Sequence, residues 1–97
     1  MRVFKFGGAS VRDAEGIMNL FNIVSEEDDR LVVVVSAFGK TTNALEQLHL
    51  AWRDRDPVRQ SLLGEISEYH IRIAEQLFAE GAPEIQKVKN LFVEFGI

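Results

Sequence analysis

The pattern of hydrophobic and polar positions in the first third of the chain predicts a strand, a helix and a second strand. Arg2–Phe6 is a short run of β-branched and aromatic residues that stops at Gly7-Gly8, which predicts a strand. Apolar residues between Ile17 and Val24 recur at helical spacing and predict a helix that ends at the acidic run Glu26–Asp29. Leu31–Val35 is uninterrupted by polar residues, which predicts a strand buried on both faces, as in a parallel sheet.

The remainder of the chain predicts helices. Ser36–Asn43 is polar and contains glycine, which indicates a loop, and the apolar positions from Ala44 to Trp52 predict a helix after it. Asp56-Pro57 is expected to begin the next helix, and Gly81-Ala82-Pro83 to separate it from a last one. The apolar stripes of these last two helices are Leu62, Leu63, Ile66, Tyr69, Ile73 and Leu77, and Ile85, Val88, Leu91, Phe92 and Phe95.

Two interpretations of local features accompany this layout. Ser10-Val11-Arg12-Asp13 has the spacing of a capping box, with Ser10 as the N-cap of the first helix. The apolar stripe of the third helix is typical of a core face, and a dimer seam is the less common alternative.

Because two strands make a poor core alone, the pattern indicates the opening of a larger α/β domain.

Composition narrows the possible classes of function. The 97 residues are 46 % apolar and 27 % charged, which is typical of a globular chain. Eleven basic and fifteen acidic side chains give a net charge of −4, which argues against a nucleic-acid partner. The absence of cysteine excludes disulfides and thiolate chemistry, and no apolar run is long enough to span a membrane. With no signal-sequence pattern, we expect a cytoplasmic protein without a membrane partner.

The first candidate site is Lys5-Phe6-Gly7-Gly8-Ala9-Ser10, at a strand end and ahead of a helix. Glycines there allow backbone N–H groups to approach a phosphate, and a helix N-terminus adds a favourable dipole. Lys5 could reach over the glycines to phosphate oxygens. A tight turn with an exposed lysine is the structural alternative, and the glycine spacing does not fit a dinucleotide fingerprint.

The second candidate site is Gly39-Lys40-Thr41-Thr42, which looks like the last half of a P-loop. A full P-loop needs a glycine where Val34 stands, so that interpretation fails. What is left is a loop rich in hydroxyl and amide groups at the carboxyl end of a strand, where open α/β sheets bind ligands. Helix capping by Thr42 or Asn43 is an equally good local interpretation. We predict no metal site, because neither His49 nor His70 has carboxylates spaced to complete one.

Taken together, the two segments resemble the N-terminus of the aspartokinases, members of the amino-acid kinase family. The resemblance is carried by V-F-K-F-G-G-A-S-V at Val3–Val11 and V-V-V-S-A-F-G-K-T-T-N at Val33–Asn43, in the family's order and separation. It implies the carbamate kinase-like three-layer α/β/α fold, with a parallel βαβ start followed mostly by helices. It also implies transfer of the γ-phosphoryl group of ATP to the β-carboxylate of L-aspartate, the first step toward lysine, threonine and methionine, with Mg²⁺ as cofactor.

The resemblance also implies roles for individual residues. Lys5 would be catalytic and would neutralise charge on the transferred phosphoryl group. ATP would be bound by Lys5, Gly7, Gly8, Ala9 and Ser10, and substrate aspartate by Ser36 and Thr42. Ala9 departs from the family pattern, which has a threonine there, so a hydroxyl contact to phosphate would be lost and backbone amides would have to suffice.

Length is the larger departure from the family. We expect residues 1–97 to be an N-terminal segment of the kinase domain that is inactive alone, with the rest of that domain and the regulatory ACT domains absent. We also expect a homo-oligomer. The alternatives are a stand-alone binding or interaction module, and an amino-acid kinase for another carboxylate substrate.

Overall fold

A computed structural model describes residues 1–95, apart from the side chain of Phe95; Gly96 and Ile97 lie outside the described residues. The elements are β1 (Arg2–Phe6), α1 (Ala14–Ser25), β2 (Leu31–Val35), α2 (Thr41–Arg53), α3 (Arg59–Leu77) and α4 (Pro83–Phe95). They divide into two compact units, the first from Met1 to Thr42 and the second from Asn43 onward. Within the described residues no helix is long and apolar enough to cross a membrane.

The first unit is a βαβ motif. Strands β1 and β2 are parallel and hydrogen-bonded, in a register that pairs Arg2 with Leu31 and Phe6 with Val35. Both strands begin and end where the sequence predicts: β1 stops at Gly7, and β2 lies between the polar residues Arg30 and Ser36. The predicted parallel start followed by helices is confirmed.

Helix α1 begins later than the sequence predicts, so the interpretation of Ser10 as its N-cap is wrong. The N-cap is Asp13, whose Oδ1 accepts a hydrogen bond from the N–H of Gly16 at 2.8 Å. The chain makes an additional turn before it, in which the N–H of Ser10 donates to the carbonyl of Gly7. Val11, in the same turn, is fully buried.

The prediction that β2 is buried on both faces is wrong for the residues described. Val32, Val33, Val34 and Val35 are each between 38 and 48 % exposed. An apolar run shows that a strand can be buried on both faces, but burial also needs neighbouring layers and strands. The sheet of the described residues has two strands only, β1 and β2, and both of its edges are open.

The second unit is helical, and its core lies between α3 and α4. Leu63, Ile66, Ile73 and Ala74 of α3 and Ile85 of α4 are buried, so the α3 stripe contributes to a core face. Helix α3 begins at Arg59 and not at Asp56-Pro57, because Asp56 first closes a turn by accepting a hydrogen bond from the N–H of Val58 at 2.9 Å.

Candidate functional site

The predicted site residues lie at the carboxyl ends of the two parallel strands. Lys5 is exposed near the end of β1, opposite Val34 in the register. Gly7–Ser10 forms the turn that follows β1. Ser36 directly follows β2, and its N–H donates to the carbonyl of Phe6 at 3.0 Å. The strand pair therefore brings the starts of both candidate segments to one edge of the sheet, as the sequence predicts for parallel strands.

The two loops contact each other through their glycines. The carbonyl oxygen of Gly8 accepts a hydrogen bond from the N–H of Gly39 at 3.2 Å and another from the N–H of Val11 at 3.3 Å. A Cβ at position 8 would lie 2.8 Å from the carbonyl oxygen of Gly39 and 3.6 Å from that of Ala37. The close approach of the two backbones thus depends on glycine at position 8.

The turn after β1 leaves several backbone donors available. Among the described residues, the N–H groups of Gly7, Gly8 and Ala9 donate to no other group, whereas those of Ser10 and Val11 are used within the turn. A Cβ at Gly7 would meet no atom within 4 Å, so this side of the turn is open to a ligand. Successive free N–H groups beside an exposed lysine are a suitable environment for an anion.

The helix N-terminus contributes less to this site than the sequence predicts. Helix α1 starts at Ala14, after the extra turn, and the carboxylate of Asp13 already accepts the N–H of Gly16. A Cβ at Gly16 would lie 2.3 Å from the carbonyl oxygen of Ser10, so the first turn of α1 packs directly against the loop. The helix therefore supports the turn and does not offer that N–H to a phosphate.

A cavity of about 580 Å³ lies between the turn and α1. Its lining includes Ala9, Ser10, Arg12, Asp13 and Gly16, so two of the predicted ATP-binding residues line it. Lys5, Gly7 and Gly8 are not among the lining residues.

The second loop is shorter than the sequence predicts. Helix α2 begins at Thr41, so Thr42 and Asn43 lie inside its first turn and neither is the N-cap. Gly39 has a φ of 53°, a left-handed conformation that favours glycine. Thr42, the predicted aspartate-binding residue, is exposed, as is Ser36.

Sequence reasoning missed the structural importance of Thr41. It is buried, and both its hydroxyl and its N–H donate to the carbonyl of Phe38, at 2.5 and 3.0 Å. Thr41 therefore holds the loop to the start of α2, while its neighbour Thr42 is left exposed. Two adjacent threonines carry no signal in the sequence that distinguishes these positions.

The histidines lie in the second unit. The Nδ1 of His70 is 2.8 Å from the carbonyl oxygen of Ile66, and its ring contacts the rings of Tyr69 and Phe92. His49 is exposed and lines an apolar cavity of about 330 Å³ with Leu45, Leu48, Trp52, Leu63, Ile66 and Phe92. Within the part of the chain that is described, no three His, Cys, Asp or Glu side chains come together as a metal site.

Two parallel strands whose adjoining carboxyl-end loops carry glycine amides, hydroxyls and lysines define an α/β protein with a polar sheet edge of a kind that suits an anion. Comparison with known proteins agrees with this class: the family model described as "Amino acid kinase family" matches residues 1–91. The chain therefore belongs to the amino acid kinase family, and the predicted family and fold class are confirmed.

Similar curated proteins are aspartokinases from plants and bacteria. The chain is 38 % identical over 79 residues to a chloroplastic bifunctional aspartokinase/homoserine dehydrogenase of Daucus carota, a match covering 80 % of the chain and 9 % of that protein. It is 35 % identical over 95 residues to chloroplastic aspartokinase 3 of Arabidopsis thaliana, covering 92 % of the chain and 17 % of that protein.

A bacterial relative has a higher identity over a shorter stretch. The chain is 53 % identical over 49 residues to an aspartokinase of Bacillus sp. (strain MGA3), which covers 47 % of the chain and 12 % of that protein. The chain thus spans less than a fifth of the length of each of these relatives. No solved structure gives a significant match.

Proposed function

We propose that this chain is the N-terminal segment of an aspartate kinase. Such an enzyme transfers the γ-phosphoryl group of ATP to the β-carboxylate of L-aspartate and forms 4-phospho-L-aspartate, in the biosynthesis of lysine, threonine and methionine. The observation that carries the proposal is the joining of the two loops at Gly8 and Gly39, since it places the free N–H groups of residues 7–9 beside the loop that begins at Ser36. The similarity to aspartokinases supports aspartate as the acceptor.

Each residue of the site has a role that fits its environment. The N–H groups of Gly7, Gly8 and Ala9 bind phosphate oxygens of ATP, and the ammonium of Lys5 neutralises charge on the transferred group. The N–H of Ser10 is already used in the turn, so Ser10 contributes through its hydroxyl. The hydroxyls of Ser36 and Thr42 hold substrate aspartate.

The transfer needs no covalent intermediate with the protein. An oxygen of the aspartate β-carboxylate attacks the γ-phosphorus of ATP, the bond from that phosphorus to the bridging oxygen breaks, and ADP leaves with the electron pair. Catalysis of this kind consists of positioning and charge stabilisation. This chemistry fits a site built from amides, hydroxyls and lysine, with no nucleophile and base pair.

Magnesium enters the proposal with the nucleotide. Mg²⁺ at such sites is commonly held by substrate phosphates, with one or two carboxylates. Because the described residues hold no cluster of acidic or histidine side chains, we assign no magnesium ligand among them. We place the protein in the cytoplasm and expect the 97 residues to lack turnover by themselves.

The test is an aspartyl-hydroxamate assay with Mg·ATP on this chain and on the longest polypeptide that its gene encodes, with L-glutamate as the control acceptor. Turnover with aspartate only in a longer polypeptide would support the proposal. Turnover with a different carboxylate would assign another amino-acid kinase, and turnover in neither protein would favour a binding or interaction module.

A further inference from the structure

Lys40 is a cation at the candidate site to which the proposed function gives no role. It lies in the loop between β2 and α2, and its backbone is fixed on both sides. The N–H of Gly39 donates to the carbonyl of Gly8 at 3.2 Å, and Thr41 is buried and bonded to the carbonyl of Phe38. The side chain of Lys40 is exposed and has no hydrogen-bond or ion-pair partner among the described residues.

The charged residues of the first unit are separated between the two ends of its sheet. Its two lysines, Lys5 and Lys40, both lie at the carboxyl ends of the strands. The acidic run Glu26–Asp29 precedes β2, at the amino end, and Glu27 within it pairs with Arg2 at 3.4 Å. A five-residue strand is about 13 Å long, more than the Debye length of about 8 Å at physiological salt, so this run does little to offset the two lysines.

The two loops carry no carboxylate that could pair with these lysines. Residues 1–12 and 30–45 contain neither aspartate nor glutamate, although the whole chain has a net charge of −4. Asp13, the acidic residue that follows the first loop, accepts the N–H of Gly16 and lies 3.8 Å from Arg12. This edge of the sheet is therefore locally positive and suits an anion that carries several negative charges.

We propose that Lys40 is a second cation for the γ-phosphoryl group of ATP and acts together with Lys5, an inference that rests on the proposed function. Gly39 contacts the turn whose amides are proposed to bind phosphates, and Thr42 is proposed to hold aspartate. Lys40 lies between Gly39 and Thr42 in the chain, and the group that passes from one substrate to the other is the γ-phosphoryl. An ammonium on a flexible four-carbon stem suits this position, where it stabilises charge and transfers no proton.

Nucleotide binding by the full-length protein that the gene encodes tests this choice of phosphate. Lys40→Gln removes the charge and keeps most of the stem. We expect it to weaken Mg·ATP binding by about three- to tenfold, as for a charge-assisted contact partly screened by water, and to leave Mg·ADP binding nearly unchanged. Equal weakening for the two nucleotides, or none for either, would overturn the proposal. Isothermal titration calorimetry is the measurement.

Two further variants separate a local charge contact from a general effect of net charge. Lys40→Arg keeps the positive charge and should retain most of the affinity for Mg·ATP. Arg30→Gln removes a cation next to the amino end of β2 and should change neither affinity. A loss of ATP affinity in Arg30→Gln as large as in Lys40→Gln would contradict a specific role for Lys40.

Steady-state kinetics of the same variants separates the γ-phosphoryl group from the carboxylates of aspartate. We expect Lys40→Gln to raise the KM for ATP and to leave the KM for aspartate near its wild-type value. A rise confined to the KM for aspartate would assign Lys40 to the acceptor and overturn the proposal.

Thermal unfolding tests whether Lys40 instead pairs with a carboxylate of the remaining polypeptide. A lowered Tm of Lys40→Gln with unchanged ATP affinity would assign such an ion pair and overturn the proposal. A full-length wild-type protein without turnover of aspartate would reject the proposed function, and this inference with it. An active wild-type protein that Lys40→Gln matches in every measurement would reject only the role of Lys40.

Discussion

The backbones of Gly8 and Gly39 are so close that a single added carbon at position 8 would lie 2.8 Å from the carbonyl oxygen of Gly39. Residues from two separate sequence motifs therefore form one surface, and the contact is made by main-chain atoms alone. Backbone atoms cannot move aside as the end of a flexible side chain can. The identity of residue 8 consequently controls whether the two loops stay joined.

We predict that alanine at the two neighbouring glycines affects different properties, stability at Gly8 and ATP binding at Gly7. Gly8→Ala should lower the free energy of unfolding by about 1–3 kcal/mol, because the loops must separate to admit the methyl group. Gly7→Ala should leave stability nearly unchanged, since a Cβ there meets no atom within 4 Å, but should weaken ATP binding by projecting into the open side of the turn. Urea unfolding and calorimetric titration with Mg·ATP measure the two effects. Equal destabilisation by both variants would contradict the geometry.

Lys5→Ala should weaken ATP binding by about tenfold or more, because a charge-assisted hydrogen bond contributes about 1.5–3 kcal/mol. Lys87→Ala, which removes an exposed cation from α4, is the matched control and should have no effect. In a catalytically complete protein Lys5→Ala should abolish turnover and leave the fold intact by circular dichroism. Near-normal turnover of that variant would remove Lys5 from the mechanism.

Valine substitutions at the two adjacent threonines should have different effects, Thr41→Val on stability and Thr42→Val on substrate binding. Thr41→Val should destabilise the fold by about 1 kcal/mol, because the buried hydroxyl donates to the carbonyl of Phe38. Thr42→Val should leave unfolding unchanged and, in a complete enzyme, raise the KM for aspartate more than that for ATP. Thermal unfolding and steady-state kinetics test the pair, and equal changes in the two KM values would count against Thr42 as an aspartate ligand.

The capping residue of α1 gives a further test. Asp13→Ala should lower the free energy of unfolding by about 0.5–2 kcal/mol, since the N–H of Gly16 loses its acceptor. Ser10→Ala should have a much smaller effect, because no cap depends on its hydroxyl. Denaturant unfolding of both variants is the measurement, and a larger loss for Ser10→Ala would restore the capping box that the sequence indicates.

Asp29 should make stability depend on pH in the acid range. Its carboxylate accepts a hydrogen bond from the N-terminal ammonium of Met1 at 3.0 Å and another from the N–H of Arg30, and these hold its pKa below the usual range, the ammonium being the larger cause. The stabilisation is therefore complete above the pKa of the unfolded chain, about 3.9, and is lost as pH falls through the lower folded pKa. NMR titration of the Asp29 carboxyl, with Asp29→Asn as the control for unfolding, measures this. A carboxyl that titrates at the ordinary value would contradict it.

The strands were predictable to the residue because the signals that define them are local. Leu31–Val35 is a uniform apolar run between Arg30 and Ser36, and Arg2–Phe6 is rich in β-forming residues and stops at Gly7. Their parallel pairing follows from the helix between them. The start of α1 was not predictable, because Ser10 and Asp13 are both good N-cap residues and an extra turn decides between them. Exposure of the β2 valines depends on which layers surround the sheet, a property that the run itself does not encode.

That the two motifs lie at one edge of the sheet was predictable from the sequence, but the different environments of neighbouring residues within them were not. The two motifs identified Lys5, the glycines and the threonines. The pattern did not reveal that Gly8 contacts another backbone while Gly7 is open, because that distinction depends on a loop about thirty residues away. It likewise gave no sign that Thr41 is buried and Thr42 exposed, since a one-residue shift in the start of α2 determines both.

The parallel register of β1 and β2 has a consequence for the order in which the site forms. Each paired residue is about thirty positions from its partner, so β1 has nothing to pair with until β2 has been synthesised, and contacts of such separation form late in folding. The turn at Gly8 meets Gly39 only after that pairing. On the ribosome, the amides proposed to bind ATP thus remain without their supporting loop until residue 39 has left the exit tunnel.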